Sequence, residues 1–184
     1  MDFFDYRKVV HQEARIEDIY RLRYKVYCLE CGYEKPSDYL NGLESDFYDS
    51  NSTHFFAAEK KSGNIVGTAR IIRSSEKGFP ALKYFDINDE LLPAVPEEQV
   101  GEISRLAVSK EYRRRAVDKA IFSSDKVISF CDRKEKNDMR RRLEADLVSG
   151  LYHCIYRESI ELGLTHLYAV MSESLYAILK KWGL

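Results

Sequence analysis

The order of hydrophobic patterns along the sequence predicts an α+β fold, with a mixed, largely antiparallel sheet flanked by helices. Helical spacing comes first, segments rich in β-branched residues dominate the middle, and a long helix, a strand and a final helix follow. A length of 184 residues suits one domain with its own core. We therefore expect one domain over 1–184 and, because the chain stops just after a helix, one that lacks its last strands.

The N-terminal part of the sequence indicates a helix and then a long loop. Apolar and aromatic residues recur every three or four positions from 16 to about 31, which is typical of an amphipathic helix, and Gly32 ends it. Residues 33–52 contain Pro36 and repeated acidic residues, so we expect a loop there. A loop of that length inside a compact domain is more often functional than accidental.

The middle of the sequence predicts strands. Residues 53–59 and 65–72 are rich in β-branched and aromatic residues, and Lys61-Ser62-Gly63-Asn64 joins them as the turn of a hairpin. Another strand is expected over 100–108, after a stretch that contains several prolines. Residues 117–138 have a mixed pattern and receive no assignment.

The C-terminal part predicts a helix, a strand and a second helix. Leucines and isoleucines fall on one side of a helix from about 143 to 162, and Gly163 closes it. Residues 165–171 have the composition of a strand. Ser172 then caps a helix that reaches residue 182.

Composition excludes several classes of protein. The net charge of −1 gives no overall electrostatic support for nucleic-acid binding. No apolar run of about 18 residues occurs, so we expect no integral membrane segment. The first residues lack the basic-then-apolar order of a signal peptide, which makes the cytoplasm the expected location. Cys28-Leu29-Glu30-Cys31 has no second such pair, so we expect reduced thiols and no metal.

A basic stretch runs from residue 110 to residue 142 and includes Arg113, Arg114 and Arg115. One interpretation is a solvated surface with no specific role. The other is a docking face for an acidic partner. The sequence leaves both open.

Three groups of charged residues lie where a fold tolerates charge only if it is paired or functional. The first is the acidic run Glu44-Ser45-Asp46-Phe47-Tyr48-Asp49 in the long loop. The second is Arg70 in a hairpin strand, and the third is Glu102-Ile103-Ser104-Arg105. Strand alternation predicts that Glu102 and Ser104 share one face and that Ile103 and Arg105 share the other. Structural ion pairs would explain each group singly.

Taken in order, these groups resemble the acyl-homoserine-lactone synthases over roughly residues 20 to 108. The resemblance rests on Arg23-Tyr24-Lys25-Val26-Tyr27, Gly32-Tyr33, Glu44-Ser45-Asp46-x-x-Asp49, Arg70 and Glu102-x-Ser104-Arg105. The C-terminal half is similar to a narrower group, the acyltransferases associated with the PEP-CTERM/exosortase system. That similarity rests on Arg105-Leu-Ala-Val-Ser-Lys-Glu-Tyr-Arg-Arg-Arg115, Gly150-Leu-Tyr and Gly163-Leu-Thr-His-Leu-Tyr-Ala-Val-Met171. Both groups imply a GNAT-like fold, and N-acyl amino acid synthases are related to them.

The resemblance implies roles for the first helix and the loop. Arg23 and Tyr27 would line the substrate cleft, and Tyr33 would replace a tryptophan while keeping an aromatic wall. The other implied substrate-binding residues form a charged network that orders the loop over the active site: Asp46, Asp49 and Arg70.

The resemblance also implies a catalytic strand. Glu102 matches the candidate general base, and Ser104 and Arg105 are its neighbours in the motif. An amine that attacks a thioester must lose a proton, which a carboxylate can accept directly or through water. The oxyanion that forms needs fixed donors, and GNAT folds supply a backbone N–H from a bulge in the central strand. Here that bulge would fall near Leu106 to Val108.

The absence of one sequence motif helps to predict the acyl donor. GNAT enzymes that use acetyl-CoA carry a glycine-containing loop whose amides hold the pyrophosphate, whereas this chain has Tyr112-Arg113-Arg114-Arg115-Ala116-Val117. This favours an acyl carrier protein as donor, docked by Arg113, Arg114 and Arg115, with acyl-CoA as the other possible co-substrate and no permanently bound cofactor. The acceptor is expected to be a small amine, such as an amino acid. Two alternatives remain: an acetyl-CoA-dependent N-acetyltransferase, and a non-catalytic module that binds acyl groups or carrier proteins.

Overall fold

The computed structural model describes residues 3–10, 13–85, 95–113 and 130–181. Strands and helices follow one another along these residues, with β2 and β3 as a hairpin, and short 3₁₀ turns lie at Pro36–Asp38, Asp49–Asn51 and Glu97–Gln99. The strands are β1 (Phe4–Val10), β2 (Ser52–Glu59), β3 (Ile65–Arg73), β4 (Val100–Val108) and β5 (His166–Ala169). The α-helices are α1 (Ile16–Tyr24), α2 (Pro80–Tyr84), α3 (Phe130–Glu161) and α4 (Glu173–Lys181).

The strands form one mixed sheet in the order β1-β2-β3-β4-β5. The first three pairings are antiparallel, and β5 pairs in parallel with the beginning of β4, His166–Ala169 against Val100–Ile103. The predicted fold class, a largely antiparallel α+β sheet flanked by helices, is confirmed. The hairpin and the strand over 100–108 are also where the sequence predicts them.

Helix α3 covers one face of the sheet. Leu147, Leu151 and Ile155 on this helix pack against alternate strand residues such as Ala69 and Ile71, and all of them are buried. Glycine at position 67 permits the close approach, because a Cβ there would lie 2.5 Å from Leu147 Cδ2. The sheet and α3 therefore bury a continuous apolar layer, which is the main driving force for this packing.

Helix α1 and the loop that follows it cover the opposite face. Ile19 and Tyr20 pack against Phe56 of β2, and Leu22 packs against Ala107 of β4. The predicted helix over 16–31 is confirmed in position, but its last part, Lys25–Glu30, is π-helical. Single π turns interrupt α-helices mainly at functional sites.

Strand β1 is missing from the sequence-based assignment. Phe4 and Val9 are its buried positions, but Arg7 and Lys8 interrupt the alternation of apolar and polar residues that marks a strand. Lys8 Nζ binds Glu158 Oε2 at 2.7 Å, across 150 positions of sequence. A local sequence pattern cannot predict a strand in which a charged residue such as Lys8 finds its partner so far along the chain.

The other differences from the sequence-based assignment concern boundaries. Helix α3 begins at Phe130, earlier than the expected start near 143, and the strand expected over 165–171 is reduced to His166–Ala169. The hydroxyl of Ser172 accepts a hydrogen bond from Leu175 N at 3.3 Å, so its predicted capping role is confirmed. Part of the unassigned segment, residues 117–129, lies outside the described residues. No helix in the described part of the chain is long and apolar enough to cross a membrane.

The predicted orientation of Arg105 is wrong because β4 contains a bulge. Arg70 pairs with Ser104 and Thr68 pairs with Ala107, so β4 has one more residue than β3 in this interval. Arg105 has a φ of 51°, the left-handed conformation of a bulge residue. The extra residue turns the Arg105 side chain to the face of Ser104, away from Ile103, which packs towards α3.

Candidate active site

A buried network of charged side chains lies between α1, the loop and the sheet. Arg23 of α1 is fully buried, and its guanidinium binds Glu44 through Nε and Asp49 Oδ1 through Nη1, the latter at 2.7 Å. Both carboxylates belong to the loop. The pairing therefore ties the loop to the helix, and α1 positions Arg23 because its other face is held by apolar packing against β2.

Arg70 extends the network to the sheet. Its Nη1 binds Asp46 Oδ1 at 2.6 Å and also Asp49 Oδ1, and its Nη2 binds Asp46 Oδ2 at 3.0 Å. The Arg70–Asp46 pair is thus bidentate, which gives both strength and a defined orientation. Arg70 Nε donates to Ser104 Oγ at 3.0 Å and so connects β3 to β4.

Arg105 completes the network at the bulge of β4. Its Nη2 lies 3.0 Å from Glu44 Oε1, 3.2 Å from Asp46 Oδ2 and 3.5 Å from Glu34 Oε1. Its side chain is 22% exposed, whereas the guanidiniums of Arg23 and Arg70 are buried. Arg105 is therefore the arginine through which the network reaches the solvent side of the site.

The arginines keep the loop carboxylates ionised. Burial alone would raise the pKa values of Asp46 and Asp49. The guanidinium of Arg70 beside Asp46, and those of Arg23 and Arg70 beside Asp49, outweigh that effect and hold both pKa values below the usual range. The loop therefore carries fixed negative charge at neutral pH.

His54 of β2 lies beside this network and is neutral at physiological pH. The side chain is buried, and its Nε2 is 3.7 Å from Asp49 Oδ1. Burial, with help from the nearby Arg23 and Arg70, lowers the pKa of His54 to about 4, although the charge of Asp49 acts in the opposite direction. A protonated ring here would add a fourth cation to a buried cluster.

Glu102 lies on the same face of β4 as Ser104, as the strand alternation predicts. It is buried, and its Oε2 accepts a hydrogen bond from Ala81 N of α2 at 2.9 Å. Burial raises the pKa of Glu102, and the Ala81 hydrogen bond and the charges of Arg70 and Arg105 only partly offset this. A carboxylate with a raised pKa is a better proton acceptor at neutral pH than an ordinary glutamate.

A cleft of about 910 Å³ opens where β4 and β5 diverge. Strand pairing between them ends at Ile103 and Ala169, and β4 continues for five further residues that form one wall. Helix α3 forms the floor, and the chain from Ala169 to Leu175 forms the opposite wall. Several predicted site residues line this cleft together: Tyr27, Tyr33, Ser104, Arg105, Leu106, Val108 and Arg113.

Tyr27 and Tyr33 both lie at the cleft but differ in how far they are exposed to solvent. Tyr27 is partly buried, and its ring lies 5.4 Å from Arg105 Cζ. Tyr33 is 74% exposed, and its ring centroid is 6.1 Å from that of Tyr27. The aromatic wall expected from the sequence is therefore present at the mouth of the cleft.

Arg113 faces the cleft. Its Nη1 contacts Cys31 Sγ at 2.9 Å, its Nη2 binds Glu30 Oε2, and its side chain is 30% exposed. Of the three arginines expected to dock a carrier protein, Arg114 and Arg115 lie outside the described residues.

The structure brings most of the predicted site residues into one place. Asp46 contacts Asp49, Arg70 and Arg105 directly, and Ser104, which binds Arg70, connects this network to the cleft. Sequence reasoning included Glu44 in the acidic run but did not assign it a role, although it contacts two arginines. It gave no role to Glu34 or His54 either, because their partners lie in other elements. Among the described residues, no group of His, Cys, Asp and Glu could hold a metal ion.

Comparison with known proteins agrees with this geometry. Residues 22–123, more than half of the chain, match the family of acetyltransferase (GNAT) domains. The chain therefore belongs to the GNAT acetyltransferase family, and the protein is an acyltransferase of that type. No curated protein matches the sequence.

Solved structures with the same fold include enzymes that handle acyl groups. The CoA-dependent acyl-homoserine lactone synthase BjaI superposes with a TM-score of 0.60 and 16% identity, over 98% of this chain and 72% of BjaI. The AHL synthase LasI gives a TM-score of 0.57 and 16% identity, over 98% of this chain and 78% of LasI. FeeM, an N-acyl amino acid synthase from uncultured soil microbes, gives 0.58 and 14%, over 96% and 75%. These likenesses establish the fold.

The buried His54 predicts how stability depends on pH. Its folded-state pKa of about 4 lies below the ordinary 6.5, so between these values the unfolded chain binds the extra proton. The free energy of unfolding should therefore fall by on the order of 3 kcal/mol as the pH drops from about 6.5 to about 4. Asp46 and Asp49 contribute a separate loss at lower pH, because their pKa values are depressed from an already acidic range.

Urea unfolding at several pH values between 7 and 4 measures this dependence. His54→Gln should flatten the curve over that interval, whatever its effect on stability at pH 7. His153→Gln, which replaces an exposed histidine of α3, is the matched control and should keep the wild-type slope. An unchanged slope in His54→Gln would contradict the assignment.

Proposed function

We propose that this acyltransferase moves a fatty acyl group from an acyl carrier protein thioester to the nitrogen of a small amine, an amino acid or a related compound. One observation carries the proposal: Ser104 and Arg105 belong both to the wall of the cleft and to the charged network. An acyl thioester in the cleft would thus lie next to groups that can hold a polar acceptor.

The cleft has the composition that an acyl chain requires. Its inner surface is contributed mainly by apolar side chains of β4, α3 and the chain after β5, among them Ile103, Val148, Met171 and Leu175. Burying a methylene group in such surroundings is worth about 0.8 kcal/mol. A fatty chain would therefore gain binding energy that an acetyl group cannot.

The charged network supports binding of the amine. Asp46 and Glu34 are the partly exposed carboxylates around Arg105, and they would attract an ammonium group. Glu102 would then accept the proton that the amine must lose, and its raised pKa suits this role. Glu102 is buried and is not among the residues that line the cleft, so the proton would travel through Ser104, on the same face of β4, or through water.

The bulge of β4 supports stabilisation of the intermediate. After the left-handed Arg105, Leu106 and Val108 line the cleft without a β5 partner among the described residues. An N–H group freed from sheet pairing in this stretch would donate to the oxyanion. Amine attack forms the C–N bond, the intermediate collapses, and the C–S bond to the carrier breaks with release of a thiol.

The choice of a carrier protein over CoA rests on the sequence after β4. Arginines at 113–115 replace the glycines that would let a backbone approach a pyrophosphate, and they suit an acidic carrier. Among the fold relatives, BjaI is a CoA-dependent synthase, which supports acyl-CoA as the other possible donor. LasI and FeeM support an acceptor that carries an amine. The resemblance to PEP-CTERM/exosortase-associated acyltransferases and the cytoplasmic location stay predictions from the sequence.

Glu102→Gln should abolish product formation while preserving the fold, because glutamine keeps the shape and the acceptor oxygen for Ala81 N but cannot take up a proton. We would express the wild type and the variant and compare lipid extracts of the host by mass spectrometry. Acylated amines should appear with the wild type and fall by roughly a hundredfold or more with the variant. Glu98→Gln, at an exposed position before β4, is the control and should match the wild type. Equal product from Glu102→Gln would remove its role as base.

Reversing the charge of Arg113, Arg114 and Arg115 together should weaken binding of acyl carrier protein by roughly tenfold or more at low salt. The wild-type affinity should also fall steeply as salt is added. Surface plasmon resonance with immobilised carrier protein measures both. Reversal of three exposed basic residues outside the cleft lining, Arg7, Lys60 and Lys61, is the matched control. Equal effects of the two triple variants would contradict specific docking.

A further inference from the structure

The bulge in β4 holds a backbone conformation that the sheet alone does not enforce. Arg105 has a φ of 51°, and a non-glycine residue in this region costs about 1 to 3 kcal/mol. Such a conformation persists only where surrounding groups determine it from several sides. The side chain of Arg105 is one such restraint, since it is held by Glu44 and Asp46.

A second restraint acts on the backbone itself. The hydroxyl of Tyr27 donates a hydrogen bond to Leu106 O at 3.1 Å, directly after the strained residue. Burial raises the pKa of Tyr27, so the phenol stays protonated and remains a donor at neutral pH. The carbonyl of Tyr27 in turn accepts from Tyr33 N at 2.8 Å and Glu34 N at 3.3 Å, which anchors the π-helical segment at the cleft.

We propose that Tyr27 is a positioning residue whose hydroxyl fixes the β4 bulge in the conformation that presents the Val108 N–H to the cleft. This proposal rests on the proposed acyl transfer for its consequence, but the hydrogen bond itself can be tested without it. The role is distinct from lining the substrate cleft, because it belongs to the hydroxyl group and not to the ring.

The geometry of the peptide explains how one hydrogen bond has this effect. A peptide unit is planar, so its C=O and N–H point in opposite directions and turn together. Holding the Leu106 carbonyl at the cleft therefore directs the Ala107 N–H away from the cleft, towards its β3 partner Thr68. Because Ser109 N donates to Val66 O, the next pair, Val108 and Gly67, is the one without ladder hydrogen bonds, and the Val108 N–H faces the cleft side. Without the hydroxyl, Leu106 O would bond to water in the cleft, and the bulge would sample other orientations.

Tyr27→Phe isolates this hydrogen bond, because phenylalanine keeps the ring that packs beside Arg105. In a steady-state assay with an acyl thioester and the amine identified as acceptor, kcat should fall roughly tenfold. KM for the thioester should stay within about twofold, because the donor contacts are retained. Tyr156→Phe is the control, because Tyr156 is an exposed tyrosine of α3 outside the cleft lining, and it should leave kcat unchanged. A wild-type kcat in Tyr27→Phe, or a change confined to KM, would overturn the proposal.

Amide hydrogen exchange gives a second test that needs no turnover. Residues 105–107 should exchange roughly tenfold faster in Tyr27→Phe than in the wild type, while the amides of β2 and β3, and residues 105–107 in Tyr156→Phe, should not change. If exchange at 105–107 is unaffected, the proposal fails even when acyl transfer is established. Exchange at 105–107 could instead be faster in Tyr27→Phe while neither the wild type nor any variant transfers acyl groups. In that case the proposed function fails and the structural role of Tyr27 stands.

Discussion

The buried ion pairs among Arg23, Arg70 and the loop carboxylates are the interaction on which the site depends. The guanidiniums of both arginines are removed from water, and leaving either without a carboxylate would cost about 3 to 5 kcal/mol. The partners come from α1, from β3 and from the loop, so the site forms only when all three are in place. The loop is held by charge more than by apolar packing, which is why residues 33–52 can lack regular strands and still have a defined conformation.

In the proposed reaction, the network would let one surface serve both substrates. Arg105 is directed to the network by the bulge in β4, and the same bulge lies in the wall of the cleft. A shift in the loop carboxylates would therefore move Arg105 and, through Ser104, the strand that carries Glu102. Under the proposed acyl transfer, acceptor binding and oxyanion stabilisation would both involve this one strand. The left-handed conformation of Arg105 is strained. Contacts from the network on one side and from the cleft wall on the other fix its position.

Prediction from sequence succeeded where the information is local. The helix at Ile16–Tyr24, the hairpin and β4 follow from periodicity and turn residues, and the charged groups stood out because charge within strands needs a partner. It failed at β1, where Lys8 depends on Glu158, and at Arg105, where a register shift against β3 reverses the face. Neither effect is encoded within a few neighbouring residues. Sequence analysis likewise assigned no role to Glu44, because the role of its carboxylate depends on contacts with Arg23 and Arg105, which are distant in sequence.

The most direct measurement is amide hydrogen exchange across residues 33–51 in Glu44→Gln, with Lys35→Gln as a surface control in the same loop. The account predicts that exchange throughout the loop rises by roughly a hundredfold in Glu44→Gln, because Arg23 and Arg105 lose a shared carboxylate, while the amides of β2 and β3 stay protected. The control should leave the loop unchanged. If the loop exchanges at the wild-type rate in Glu44→Gln, the ion pairs do not hold it, and the claim that buried charge assembles the site is contradicted.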